Sequence, residues 1–188
     1  MTDATTTTTT IPGYQSGIWK IDAVHSEIGF SVRHMMVSKV RGKFTKFSGE
    51  FTTGDSPFDS SVTAEVELGS IDTGNTDRDN HVRSADFFEV EAHRVMKFVS
   101  TGVRQEGGQF FLDGNLTLKG NTKPVTLELE LGGFGPDAYG GTRAGFTATG
   151  EIKRSDFGVD FNAVMETGGV VLSDKVAINL EIEGVLKA

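Results

Sequence analysis

Alternation of apolar and polar residues, repeated in segment after segment, is the feature that most restricts what this chain can fold into. Val62, Ala64, Val66 and Leu68 alternate with Thr63, Glu65 and Glu67, and Val125, Leu127, Leu129 and Leu131 alternate with Thr126, Glu128 and Glu130. Successive side chains of a strand point to opposite faces, so each segment carries one apolar and one wet face. Ile28, Phe30 and Val32 repeat the pattern, as do Ala144 to Ile152 and Val176 to Ile182, and a strand is expected over Val40 to Phe51. Met96 to Val103 and Phe110 to Leu118 read as a pair joined at Gln105-Glu106-Gly107-Gly108. With a short strand at Ile18 to Asp22 the count reaches about eight or nine strands at hairpin spacing, which predicts an antiparallel meander.

One stretch breaks the pattern. Asn75 to Val90 is charged and lacks alternation; Thr76 followed by Asp79 resembles a capping box, and Val82, Ala85 and Phe88 stand at helical spacing. A short inserted helix near residues 76–88 is therefore expected, capping one end of the sheet. Residues 1–13, a polar threonine run ending at Pro12-Gly13, have little to bury and are expected to be disordered, leaving 17–188 as a single domain.

An antiparallel sheet of this many strands closes on itself to remove its edges, and about eight strands leave an interior that side chains fill or one small ligand occupies. The inward faces mix large residues, Phe30, Phe98 and Phe110, with small ones, Ala64, Ala144, Ala148, Gly114 and Gly150. Small residues leave room for an elongated void, yet they equally accommodate crossing strands, so the alternation alone leaves a packed core open.

The net charge of -8 disfavours nucleic acid and a nonspecific hold on anionic membranes, although local basic patches remain compatible with it. Cysteine is absent, which removes disulfides, thiolate zinc sites and a Cys nucleophile. Asp3 and the threonine run stand where a secretory signal has positive charge and an apolar core, so a cytoplasmic protein is expected. No stretch approaches the roughly 18 apolar residues of a membrane helix, which leaves only transient, peripheral membrane contact.

Three blocks carry a family resemblance. The first is Trp19-Lys20-Ile21-Asp22, His25-Ser26-Glu27-Ile28, His34-Met35, Val40-Arg41-Gly42 and Phe44 to Gly49. The second is Ser70-Ile71, Thr73, Asn75, Arg78-Asp79, His81 and Arg83 to Phe88. The third joins Gly114 to Gly120, Thr122 and Pro124-Val125 with Arg154-Ser155-Asp156-Phe157-Gly158. In this order and spacing, over nearly all of residues 17–188, the chain resembles the YceI-like family of lipocalin-like polyisoprenoid-binding proteins. Asp86 to His93 departs mildly from the family pattern.

The resemblance implies an all-β, eight-stranded antiparallel lipocalin-like barrel with a cavity for a long amphiphile: a polyisoprenoid, an isoprenoid quinone or a fatty-acid-like lipid. The residues expected to line it are Phe30, Val32, Phe44, Ala64, Val66, Phe98, Phe110, Leu112, Leu116, Phe146, Ala148 and Ile178. Head-group candidates are Arg33, His34, Arg41, Asn75, Arg78, His81 and Arg83, because Arg forks suit phosphate and His or Asn can hydrogen-bond a quinone or hydroxyl oxygen. Such a helix equally well solvates its outer face and caps its own ends. Each five-carbon unit buried offers about 4 kcal/mol of gross transfer energy, so a few units suffice for retention.

Catalysis finds no constellation. His25 with Asp22, or His81 with Asp79, could act as base and orienting carboxylate, but neither has a nucleophile at a diagnostic spacing. The four histidines form no HxH or HExxH motif, so neither metal nor resident cofactor is expected. The expectation is a non-enzymatic carrier or storage protein, the alternatives being a small lipid-modifying enzyme using His25 or His81 and a packed-core interaction scaffold. A homodimer through exposed Phe87-Phe88 or Phe157 is a further expectation.

Overall fold

Eleven strand segments, all antiparallel, make one sheet whose first and last members pair. A computed structural model describes residues 11–162 and 171–187. The segments are β1 (Gly17–Ile21), β2 (Glu27–His34), β3 (Ser38–Phe44), β4 (Phe47–Thr53), β5 (Ser61–Glu67), β6 (Ile71–Asp72), β7 (Val95–Glu106), β8 (Gln109–Leu118), β9 (Asn121–Pro136), β10 (Thr142–Lys153) and β11 (Leu172–Leu186).

They lie along eight staves, because the first three staves are each broken once. β1 pairs with the end of β11 (Trp19 opposite Leu186) and β2 with its beginning (Val32 opposite Val176), so the two are one bent stave. In the same way β4 lies against β1 and β3 against β2, and β5 lies against β4 and β6 against β3. The result is the closed eight-stranded antiparallel barrel expected. Val40 to Phe51 is thus two segments, bent at Thr45-Lys46, where Ser70 of the next stave accepts the Lys46 N–H through Oγ (3.0 Å) and the Thr45 N–H through its carbonyl (3.2 Å).

The breaks matter for the ends of the barrel. β5 pairs with β7, but among the described residues β6 pairs with β3 alone, so the ring is complete over one half and has a seam at the other. The inserted helix, α1 (Thr76–Arg83), stands at that seam. Its cap is Asn75, whose side chain accepts the Arg78 N–H at 2.9 Å, one residue before the expected box. Asp79 instead turns back to take both the N–H (2.9 Å) and the hydroxyl (2.6 Å) of Thr73. The helix also ends before residue 88: Ser84 stops it, and Phe87 and Phe88 follow in turns that bond back to Ser84 and Val82.

The interior comprises two packed clusters. At the complete end Trp19, Ile21, Phe51 and Ala144 are buried with Phe134 and Phe146 against them; at the seam end Leu68, Ile71, Phe87, Leu118, Phe157 and Val159 are buried. The chain before β1 is packed through Tyr14, which meets Phe134 edge-on (5.3 Å) and donates its hydroxyl to the Gly54 carbonyl at 2.7 Å. The expectation of disorder for residues 1–10 lies outside the described residues. The exposure expected of Phe87 and Phe157 is not found: both are buried, Phe157 being only 1% exposed in the Arg154–Phe157 3-10 turn.

A polar cluster ties the first bend across β11 to β10. Arg143 on β10 reaches Asp22 (2.7 Å), Glu183 (3.0 Å) and Asp137 (3.1 Å), and Asp22 also bonds His25 Nδ1 at 2.7 Å. Arg143 above all, then His25, holds the Asp22 carboxyl well below the usual carboxylate range. Asp137 is lowered too, first by the Gly141 and Tyr139 backbone N–H groups. A depressed native pKa gives stability that is present above the unfolded value, about 3.9, and is lost as pH falls below it. The stability gap between wild type and Arg143→Met is therefore expected to be widest near neutrality and to shrink below about pH 4. Urea midpoints measured across that range check this, and a gap independent of pH would refute it.

Candidate functional site

The alternating faces of the staves enclose a cavity of about 500 Å³ that touches both internal clusters. Volumes of roughly 300–1,000 Å³ are those of small-molecule sites. At the complete end the cavity meets Ile11, Tyr14 and Phe134; at the seam end it meets His34, His81, Phe161 and Val171. The wall between is almost wholly apolar, with Val103, Leu127, Leu129, Met96 and Leu180 among its members.

Phe30, Val32, Phe44, Ala64, Val66, Phe98, Phe110, Leu112, Leu116, Phe146, Ala148 and Ile178 all face this space. The small residues have two fates. A Cβ on Gly114 would lie 2.3 Å from Phe98, and one on Gly150 would lie 2.6 Å from Leu127, so neighbouring side chains already cover those glycines. Ala144 is buried in the aromatic cluster. Of the five small residues named from the sequence, Ala64 and Ala148 border the void.

The polar candidates separate. Arg33 and Arg41 alternate with the inward Val32 and Val40 and are exposed on the outer wall. Asn75 is spent on the helix cap, and Arg83 clamps α1 to the third stave by donating to the carbonyls of Gly69 (2.8 Å) and Ile71 (3.0 Å). His34, Arg78 and His81 reach the cavity. His81 Nε2 lies 2.8 Å from the Asp86 carboxylate, not from Asp79, and its ring meets Phe87 and Phe161 edge-on, each at 5.1 Å. Arg78 is oriented by Thr73, to which it donates twice at 2.8 Å. His25 is outside the cavity, on the outer surface with Asp22.

Sequence reasoning missed Arg154 as a wall residue. Only 8% exposed, it donates to the carbonyls of Ser173 (3.0 Å), Val159 (2.8 Å) and Phe161 (3.2 Å), pinning the chain after the 3-10 turn to β11. Burial pulls its pKa below the usual arginine value, and the three carbonyls offset the desolvation. A cation opening the Arg154-Ser155-Asp156-Phe157-Gly158 turn was the available signal.

Barrel, internal cavity and polar end define a closed eight-stranded antiparallel barrel protein with an interior apolar site. The chain belongs to the YceI-like family, whose domain description, "YceI-like domain", matches residues 19–184. Protein YceI of Salmonella newport is 40% identical over 170 residues, spanning 89% of this chain and 86% of that protein. Among solved structures, Burkholderia cenocepacia BcnA superimposes with a TM-score of 0.75 at 23% identity, over 87% of this chain and 98% of that one. A polyisoprenoid-binding domain from Saccharophagus degradans superimposes with a TM-score of 0.66 at 14% identity, over 92% and 100%. At those identities the two structures speak to the fold.

Proposed function

We propose that this barrel binds and carries or stores a long-chain amphiphile, of the polyisoprenoid, isoprenoid-quinone or fatty-acid-like class, without chemically altering it. The observation that carries this reading is the 500 Å³ apolar cavity running between the two ends of the barrel. An apolar chain gains about 0.8 kcal/mol per methylene moved there from water, whereas a polar metabolite would lose its hydration without replacement. The naming of the Saccharophagus degradans domain as polyisoprenoid-binding supports the same ligand class.

His34, Arg78 and His81 are the groups that would meet the head of such a ligand, with its tail toward Phe51, Phe134 and Phe146. The non-catalytic part rests on geometry: the hydroxyl of Ser84, near His81 in sequence, donates to the His81 carbonyl, not to its ring. For a cytoplasmic carrier the cargo would be a lipid extracted from a membrane or newly made.

Organic extraction of the purified protein is expected to release a long-chain lipid detectable by mass spectrometry, and an apolar fluorescent probe should enter the emptied barrel and be displaced by a polyisoprenol. A barrel that yields no lipid and takes up no probe would sink the proposal. Conversion of the bound lipid, abolished in His81→Ala with binding retained, would favour an enzyme.

A further inference from the structure

The hairpin between β2 and β3 contains a backbone anomaly. His34, Met35, Met36 and Val37 form a turn closed by the Val37 N–H on the His34 carbonyl (3.2 Å), with φ of +52° at Met35 and +62° at Met36. Two successive left-handed residues are the geometry of the type I′ hairpin turn, which Asn-Gly adopts readily and side chains such as methionine do not. The strain presents apolar groups outward: Met35 is 45% exposed, Met36 57% and Val37 84%. None of the three belongs to the buried clusters, and strained backbone of this kind concentrates at functional positions.

Cations flank the tip. Arg33 lies directly opposite Lys39, and Lys153 directly opposite Lys175; like charges so placed are destabilising by themselves. Arg33, Lys39 and Arg41 make no ion pair among the described residues. Acids on neighbouring segments are partly engaged: Glu151 is 3.7 Å from Lys175, Asp174 takes the Ser155 hydroxyl, and Asp72 faces Lys43 across the ladder. On a chain of net charge -8, this end can approach an anionic surface while the rest is repelled.

The tip also adjoins the cavity. His34 and Val171 line it, and the Met35 N–H donates to the Val171 carbonyl at 2.7 Å. We propose that the Met35-Met36-Val37 tip inserts into the interfacial region of an anionic phospholipid bilayer, with Arg33, Lys39 and Arg41 on the head groups, and so seats the cavity mouth on the membrane that supplies or receives its lipid. The proposal rests on the carrier reading for its purpose, but the docking itself is measured separately from cavity occupancy. Apolar insertion supplemented by basic residues is the usual basis of peripheral membrane attachment.

The test is co-sedimentation of the full chain with vesicles of phosphatidylcholine alone, or with about a third of it replaced by phosphatidylglycerol. Wild type is expected to pellet with the anionic vesicles and to be released by salt. Met35→Asn/Met36→Gly, which suits the turn better and so preserves the fold, should weaken binding about tenfold. Arg33→Gln/Arg41→Gln should weaken it about 25-fold, at roughly fivefold per cation. Equal recovery with both vesicle types, wild-type recovery of the methionine variant, or a chain that stays in the supernatant because its tip serves a protein partner would each overturn the proposal. Uptake of an apolar probe in the same samples reports on the cavity: vesicle binding without probe uptake supports docking and removes the carrier reading alone.

Discussion

Trp19→Ala is expected to destabilise the protein by about 4 kcal/mol, a large part of the roughly 5–15 kcal/mol that holds a domain folded. Trp19 is wholly buried, stacks on Phe51 at 5.8 Å with 8° between planes, and meets Phe134 edge-on at 5.6 Å. Its indole N–H donates to Thr53 Oγ1 (2.8 Å), whose hydroxyl in turn donates to the Gln15 carbonyl at 2.7 Å. Collapse into the vacated space is hindered, because Phe51 is already pressed on Gly184, where a Cβ would come within 2.4 Å of its ring. A cavity that cannot refill keeps the loss well within the roughly 3–5 kcal/mol usual for removing a buried aromatic side chain. As Trp19 is the chain's single tryptophan, the check is urea unfolding followed by far-ultraviolet circular dichroism. A loss below about 2 kcal/mol would mean that the aromatic cluster does not hold this end of the barrel together.

Ala64→Phe is expected to weaken binding of a long-chain ligand on the order of a hundredfold while leaving the melting temperature unchanged or raised. Ala64 borders the void and belongs to neither internal cluster, so an added ring would grow into the cavity. It would take the place of about one isoprene unit, worth ~4 kcal/mol of gross transfer energy, part of which the ligand recovers by rearranging. Thr63→Phe, on the outer face of the same strand, is the control and should bind as wild type does. Unaltered affinity in Ala64→Phe would place the ligand elsewhere.

These experiments bear on residues that differ in how openly the sequence displayed them. Ala64, Phe98 and Ile178 were legible as wall residues because period-2 alternation assigns a face locally, and closure of the sheet turns one face inward. The bends were not legible. Ile18 to Asp22 and Ile28 to Val32 look like separate strands, and only their common pairing with β11 makes them one stave. Val40 to Phe51 looks continuous, and only Ser70, more than twenty residues on, shows where it turns. Among the polar candidates, alternation already sets Arg33 and Arg41 opposite the inward Val32 and Val40. Asn75 and Arg83 were ambiguous because a capping side chain and a ligand-binding one share the same composition; which backbone group each satisfies is decided in three dimensions.

The seam between β6 and β7 gives the barrel unequal stiffness along its axis. Where β1, β4 and β5 join β7 to β11, an unbroken hoop of hydrogen bonds sets the bore, and widening it would require breaking several together. At the other end the Leu68 N–H on the Arg94 carbonyl (3.0 Å) stands at the start of the gap in place of a ladder, and Arg83 ties the inserted helix to the third stave alone. Amides near the seam are accordingly expected to exchange with solvent sooner than those of the hoop. A tapered guest of the kind proposed above would thereby be sorted twice: its slender end would be gauged against a rigid bore, and its bulky end would meet a rim that gives.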